Sequence, residues 1–199
     1  MGKASDFGLL VIRLGVGAAV AAHGAQKLFG SFGGGGIKGT GAFFESAGFT
    51  PGERNAQLGG LAEFGGGALL ALGLATGPAG AAVAGNMVVA SSTHAENGFF
   101  NMGGGLELPA TYGLIGAAVA LGGPGTWSLD ALTRHKLNRP WMRLFALASA
   151  GASAYFLIDQ RQKVLTDRAG SAPVAEAAAD AAEAPQATES GTPQATTEG

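Results

Sequence analysis

The chain has 199 residues, of which 47% are hydrophobic and only 13% charged, about half the charge of an ordinary soluble domain. Its 36 glycines follow no Gly-X-Y period, which excludes collagen. It has no cysteine, which excludes disulfide exchange, cysteine-ligated iron–sulfur clusters, c-type haem and persulfide transfer within the chain.

Charge is divided unevenly. Residues 169–199 carry five acids (Glu176, Asp180, Glu183, Glu189, Glu198) and no Lys or Arg, so the net charge of −2 hides a basic remainder. Ala, Pro, Glu, Thr, Ser, Gln and Gly make up nearly all of this segment, and Val174 is its only larger aliphatic. It cannot bury enough apolar surface to offset its ordering entropy and reads as a disordered tail.

A membrane-spanning helix needs about 20 mostly apolar residues. In chain order the first such run is Phe7–Leu28, broken by Arg13 and carrying His23 and Lys27 near its end. Arg13 splits the apolar stretch that a cleaved signal peptide would need. Residues 30–55 then read as a long loop containing the glycines 33–36. Ala56–Thr76 is the second run, with Glu63 inside it, and Gly77-Pro78 reads as a tight turn into the third, Ala79 to Ser92 or His94. Glycine-rich residues 96–105 lead to the fourth, Leu106–Gly122, with Glu107 at its start. After a basic patch of Arg134, His135, Lys136 and Arg139 comes a short, marginal fifth run, Trp141–Ile158.

The expected fold is all-α: an integral membrane four-helix bundle over residues 1–133, a basic loop plus a fifth membrane helix over 134–168, and the acidic tail over 169–199. Abundant glycine suits close helix contact in lipid, where no hydrophobic drive brings helices together. With four spans and the amino terminus inside, Lys3 and the bases from Arg134 to Arg168 lie in the cytoplasm and only Lys27, Lys38 and Arg54 outside; a fifth span moves Arg161, Lys163 and Arg168 outside and nearly removes the bias.

Ionisable groups in spans are costly and point to function by default. Alternating span direction brings His23, Lys27, His94, Glu96 and Glu107 to one membrane face, with Glu63 reaching toward it. A ligand or proton-handling site built from His23, Lys27, Glu63, His94 and Glu107 is one reading. The other has Lys27 snorkelling and Glu107 near a helix N-terminus for structural reasons. Arg13 and Glu63 are expected to form a buried ion pair that fixes helix register. Nothing in the spacing specifies a metal site, and the glycine runs lack the GxxxxGK[ST] of a phosphate loop.

The first run with Arg13, Gly24, Lys27 and Leu28 resembles the opening of the DoxX family of small bacterial membrane proteins. Gly60-Leu-Ala-Glu63-Phe-Gly-Gly with Leu72-Gly-Leu-Ala-Thr76 is also similar, as are Asn86-Met87, His94, Glu107 and the exit Gly123-Pro-Gly-Thr-Trp-Ser-Leu-Asp130. The resemblance covers about residues 5 to 133. It implies a multi-pass bundle in the bacterial inner membrane, whose relatives include a subunit of a thiosulfate:quinone oxidoreductase and members of complexes with superoxide dismutase and a sulfurtransferase. It does not by itself establish catalysis here.

The leading functional expectation is therefore a membrane subunit of a quinone-linked redox or oxidative-stress complex, with a quinone between the helices and peripheral oxidoreductase or sulfurtransferase partners. The rivals are a non-catalytic scaffold that recruits peripheral enzymes, and a small transporter using its buried charges as a proton relay. The implied surroundings are the lipid bilayer, not nucleic acid.

Overall fold

The computed structural model describes residues 2–183, with side chains over residues 2–171. These residues are helical throughout, with turns and short loops between: α1 (Lys3–Phe29), α2 (Gly36–Ser46), α3 (Gly52–Leu72), α4 (Thr76–His94), α5 (Glu107–Gly122), α6 (Leu129–Leu132) and α7 (Pro140–Glu183). Two compact units are present, Met1–Val164 and Leu165–Gly199. The second consists, over its described residues, of the remainder of α7.

Glycine sets how closely the helices approach. A Cβ on Gly17 would lie 2.6 Å from the Ala71 nitrogen, one on Gly67 2.5 Å from the Ala21 nitrogen, and one on Gly24 would strike the Phe64 backbone. As residue numbers rise along α1 their partners fall along α3, so the two helices are antiparallel and nearly in backbone contact. The same reasoning pairs α4 with α5 through Gly80, Gly116 and Ala120, and α3 with α4 through Gly66, Ala79 and Val83. Side chains from α1, α3, α4 and α5 meet in two adjoining apolar clusters, Val20–Val83–Met87 and Leu70–Ala79–Val119.

Burial is inverted relative to a protein folded in water. Arg13 and Asp130 are fully buried and Glu63 is 2% exposed, whereas Phe7, Leu14, Leu61, Leu114, Phe145 and Phe156 each expose half or more of their surface. Water favours the opposite arrangement, and lipid favours this one. By length and composition α1 and residues Pro140–Ser171 of α7 could each cross a membrane.

The remaining expected spans do not reach that standard. At 16 residues, α5 rises only about 24 Å against a ~30 Å hydrocarbon core, and the small and polar residues of α3 and α4 dilute their hydropathy.

Three boundaries differ from the sequence reading. The α3–α4 turn is not at Gly77-Pro78 but at Gly73–Ala75, where Gly73 and Ala75 have φ of 65° and 47°. Pro78 falls in the first turn of α4, where its missing N–H costs nothing. The long 30–55 connection contains α2, whose glycines mask it; Gly41 packs so closely on Gly52, at the start of α3, that a Cβ on Gly52 would strike the Gly41 carbonyl. Finally, α7 runs to Glu183, beyond residue 169, where the disordered tail was expected to begin. The Ala- and Glu-rich sequence there favours a helix even though it offers little to bury. Residues 184–199 of that tail lie outside the described residues.

Candidate functional site

Lys27 sits in the last turn of α1 and Glu63 in the middle of α3. The antiparallel register fixed by Gly24 against Phe64 and by Gly60 against Leu28 places them side by side. Lys27 Nζ donates to Glu63 Oε2 at 2.5 Å, and Asn86 Nδ2 on α4 donates to Glu63 Oε1 at 3.0 Å. Both carboxylate oxygens are thus occupied, the minimum a buried carboxylate requires. The Glu63 side chain is 3% exposed and that of Lys27 25%, so the pair has one sealed and one accessible end.

The accessible end opens into a cleft of 830 Å³ bounded by α2, α3, α4 and α7. Phe43, Phe44 and Phe49 form an aromatic wall, and Ala146, Ala150 and Ala154 of α7 an aliphatic one. Lys27, Glu63 and Asn86 form its polar cluster, and Thr40, Asn55, His94, Ser149 and Ser153 are further polar residues of the lining. An apolar volume with a few convergent polar groups is the usual make-up of a small-molecule site. Among described residues no group of three His, Asp or Glu side chains is arranged to hold a metal ion.

Of the five expected ligand residues, Lys27, Glu63 and His94 line this cleft, while His23 and Glu107 do not. His23 packs beside Tyr112 of α5, ring centroids 6.2 Å apart, with Nδ1 3.1 Å from Gln26 Oε1. Glu107 accepts the Asn101 N–H at 3.0 Å and thereby organises the α4–α5 loop. His94 Nδ1 is 2.7 Å from the Gly104 carbonyl, which ties it to the same loop.

The expected Arg13–Glu63 ion pair does not form. Arg13 lies at the other end of α3, where Nη1 donates to the Leu70 and Ala71 carbonyls at 3.4 and 3.3 Å and Nη2 to the Trp127 carbonyl at 2.6 Å. Glu63 is seven residues before Leu70 on the same helix, about 10 Å away along its axis. Arg13 therefore caps a helix C-terminus, where orphaned carbonyls and the negative end of the dipole attract a cation.

Beside it, Asp130 performs the complementary task for α4. Its carboxylate accepts the Ala75 and Thr76 N–H groups at 2.8 and 2.9 Å, and its own N–H donates to the Gly73 carbonyl at 2.8 Å. Asn138 Oδ1 then takes the Gly77 N–H at 3.1 Å and Arg143 Nε–H at 2.9 Å. Gly123–Asp130 is thus a structural clasp over the α3–α4 turn. Asn86, Asp130 and the α2 aromatics were missing from the sequence-derived site: Asn86 looks like an ordinary helix residue until α4 is set against Glu63.

No curated protein matches the chain, and neither does any solved structure. The DoxX family model matches residues 8–95, from the first turns of α1 through the end of α4. That stretch contains Arg13, Lys27, Glu63, Asn86 and His94 but excludes Glu107, the Asp130 clasp and α7. Residues 8–95 are thus similar to the DoxX family, and the buried charges and the two helices long and apolar enough to cross a bilayer accord with a membrane setting.

Proposed function

We propose that this protein is a multi-pass subunit of the bacterial plasma membrane, a four-helix bundle of α1, α3, α4 and α5 joined by α7 as a fifth span, which binds a quinone in the α2–α3–α4–α7 cleft. The observation that carries this reading is the Lys27–Glu63–Asn86 cluster in a largely apolar 830 Å³ volume. A quinone has the same division, with two carbonyl oxygens on a flat ring and a long hydrocarbon tail. The Lys27 ammonium would donate to one carbonyl, and the ring would stack on the Phe43–Phe44 wall.

Reduction of a bound quinone to a quinol consumes two electrons and two protons. In this reading a peripheral oxidoreductase supplies the two electrons, and the Lys27 ammonium, reprotonated from water at its accessible end, passes the two protons to the quinone in turn while the Glu63 carboxylate stabilises its charged form.

The test is to purify the chain from membranes and measure quinone in its organic extract. The wild type should retain quinone, and Lys27→Met should retain about tenfold less, as expected for loss of one hydrogen bond from a charged donor. Absence of quinone from a folded wild type, or equal retention by Lys27→Met, would sink the proposal.

A further inference from the structure

A second groove, of 690 Å³, lies between α7 and the start of α3. Its walls are apolar, formed largely by Leu58, Phe156 and Leu157, and its polar side chains include Arg54, Gln160 and Arg161. No carboxylate lines it. The well-exposed Glu96 stands 4.0 Å from Arg161 Nη2.

The guanidinium of Arg161 is held in place before any ligand arrives. Its Nε–H donates to the Ala47 carbonyl at 2.9 Å, its centre lies 5.7 Å from the Phe49 ring centroid, and its side chain is only 7% exposed. Arg54, in the first turn of α3, supplies a second, exposed guanidinium to the same groove. Arginine in fixed forks is the side chain best matched to phosphate oxygens.

Depth in the bilayer supplies the remaining constraint. Along α7, Arg161 is about 31 Å of helix rise from Pro140, matching the ~30 Å hydrocarbon thickness. With α7 crossing from the exposed Trp141, a common interfacial anchor, Arg161 stands at the opposite headgroup layer. The groove runs from there toward the hydrocarbon, along side chains such as Phe156, which is 58% exposed.

We propose that this groove binds an anionic phospholipid. Its phosphate lies between Arg54 and Arg161 with Gln160 donating, and one acyl chain follows Leu58, Phe156 and Leu157. Charge selects the occupant, because two guanidiniums favour a phosphate headgroup of net negative charge over a zwitterionic one, whose own cation opposes them. The site adjoins the quinone cleft but does not depend on it, and the variants below avoid the residues shared by the two.

The test uses the full-length chain in detergent, exchanged into phosphatidylglycerol or phosphatidylcholine and delipidated stepwise while bound lipid is counted by native mass spectrometry. Wild type should retain one phosphatidylglycerol after phosphatidylcholine has been lost. Arg54→Gln should weaken that retention by about fivefold, the effect of one interfacial base. Ala152→Trp, which fills this groove alone, should abolish it while both arginines remain. Arg161→Lys keeps the charge but loses the fork and should weaken retention if it folds; Arg54→Gln, at an exposed position, decides the matter if it does not.

Equal retention of the two lipids would overturn the proposal, as would retention unchanged in both Arg54→Gln and Ala152→Trp. Displacement of phosphatidylglycerol by millimolar inorganic phosphate would also overturn it, since the site would then recognise a free anion and not a lipid.

Discussion

The Glu63 carboxylate has two partners and little solvent, and that asymmetry decides what substitution does. Replacing Lys27 by Met leaves Glu63 with Asn86 as its remaining partner and should cost about 3–5 kcal/mol, as for other buried pairs broken from one side. Glu63→Ala should cost less, because Lys27 keeps a quarter of its side chain exposed and can extend its ammonium to the interface. The double change Lys27→Met with Glu63→Leu should recover most of the loss. Thermal unfolding of the four proteins in one detergent measures all three differences, and a double mutant no better than Lys27→Met would mean that the pair is not the source of the loss. Arg13 differs, because its partners are carbonyls on two segments. Arg13→Lys should be destabilised by about 1–3 kcal/mol, since a single ammonium cannot reach Leu70, Ala71 and Trp127 together and leaves buried acceptors unpaired.

Between elements, energy resides in glycine contact and in trans-acting caps. Gly24→Ala should separate α1 from α3 and lower the unfolding temperature clearly, because the added methyl meets the Phe64 backbone. Gly15→Ala, on the same helix with open space around it, should be neutral or stabilising by up to about 1 kcal/mol. Equal effects of the two would refute the register described for this helix pair. Asp130→Ala should cost about 1–3 kcal/mol by releasing two N–H groups of the α4 start, and Asp130→Asn should restore part of it. Hydrogen exchange at Ala75 and Thr76 reports this loss directly.

At the scale of the whole molecule, the helices of the DoxX-like region were largely legible, because apolar runs bounded by glycine need little beyond composition to be seen. Lys27, Glu63 and His94 were recognisable as expensive residues near one end. Their pairing was not, because partner choice depends on register, and register is set by which glycines face each other. Depth in the bilayer alone had set Glu63 against Arg13, whereas the Gly24–Phe64 contact puts it level with Lys27. The α2 wall escaped notice because a helix containing several glycines is held by tertiary contact and not by propensity. The absence of cysteine makes topology measurable without background. Single cysteines at Ser31, Asn97 and Lys163 should label with an impermeant reagent from one face, and one at Thr133 from the other. Lys163 labelling with Thr133 would show that α7 does not cross, and Ser31 and Asn97 on opposite faces would break the α1–α3–α4 succession.

The clasp at Asp130 also imposes an order in time. The N–H groups of Ala75 and Thr76 wait for a carboxylate 55 and 54 residues further along the chain. At ribosomal speeds of about 5–20 residues per second, that interval is roughly 3–11 s. During it, the newborn α3–α4 hairpin has an uncapped helix start and an arginine at Arg13 whose Trp127 acceptor has yet to be synthesised. A nascent chain arrested after Gly122 should therefore remain open to protease at Gly73–Ala75, and one released after Asn138 should be closed. Late synthesis of the clasp makes completion of the carboxyl-terminal half the event that locks the amino-terminal half.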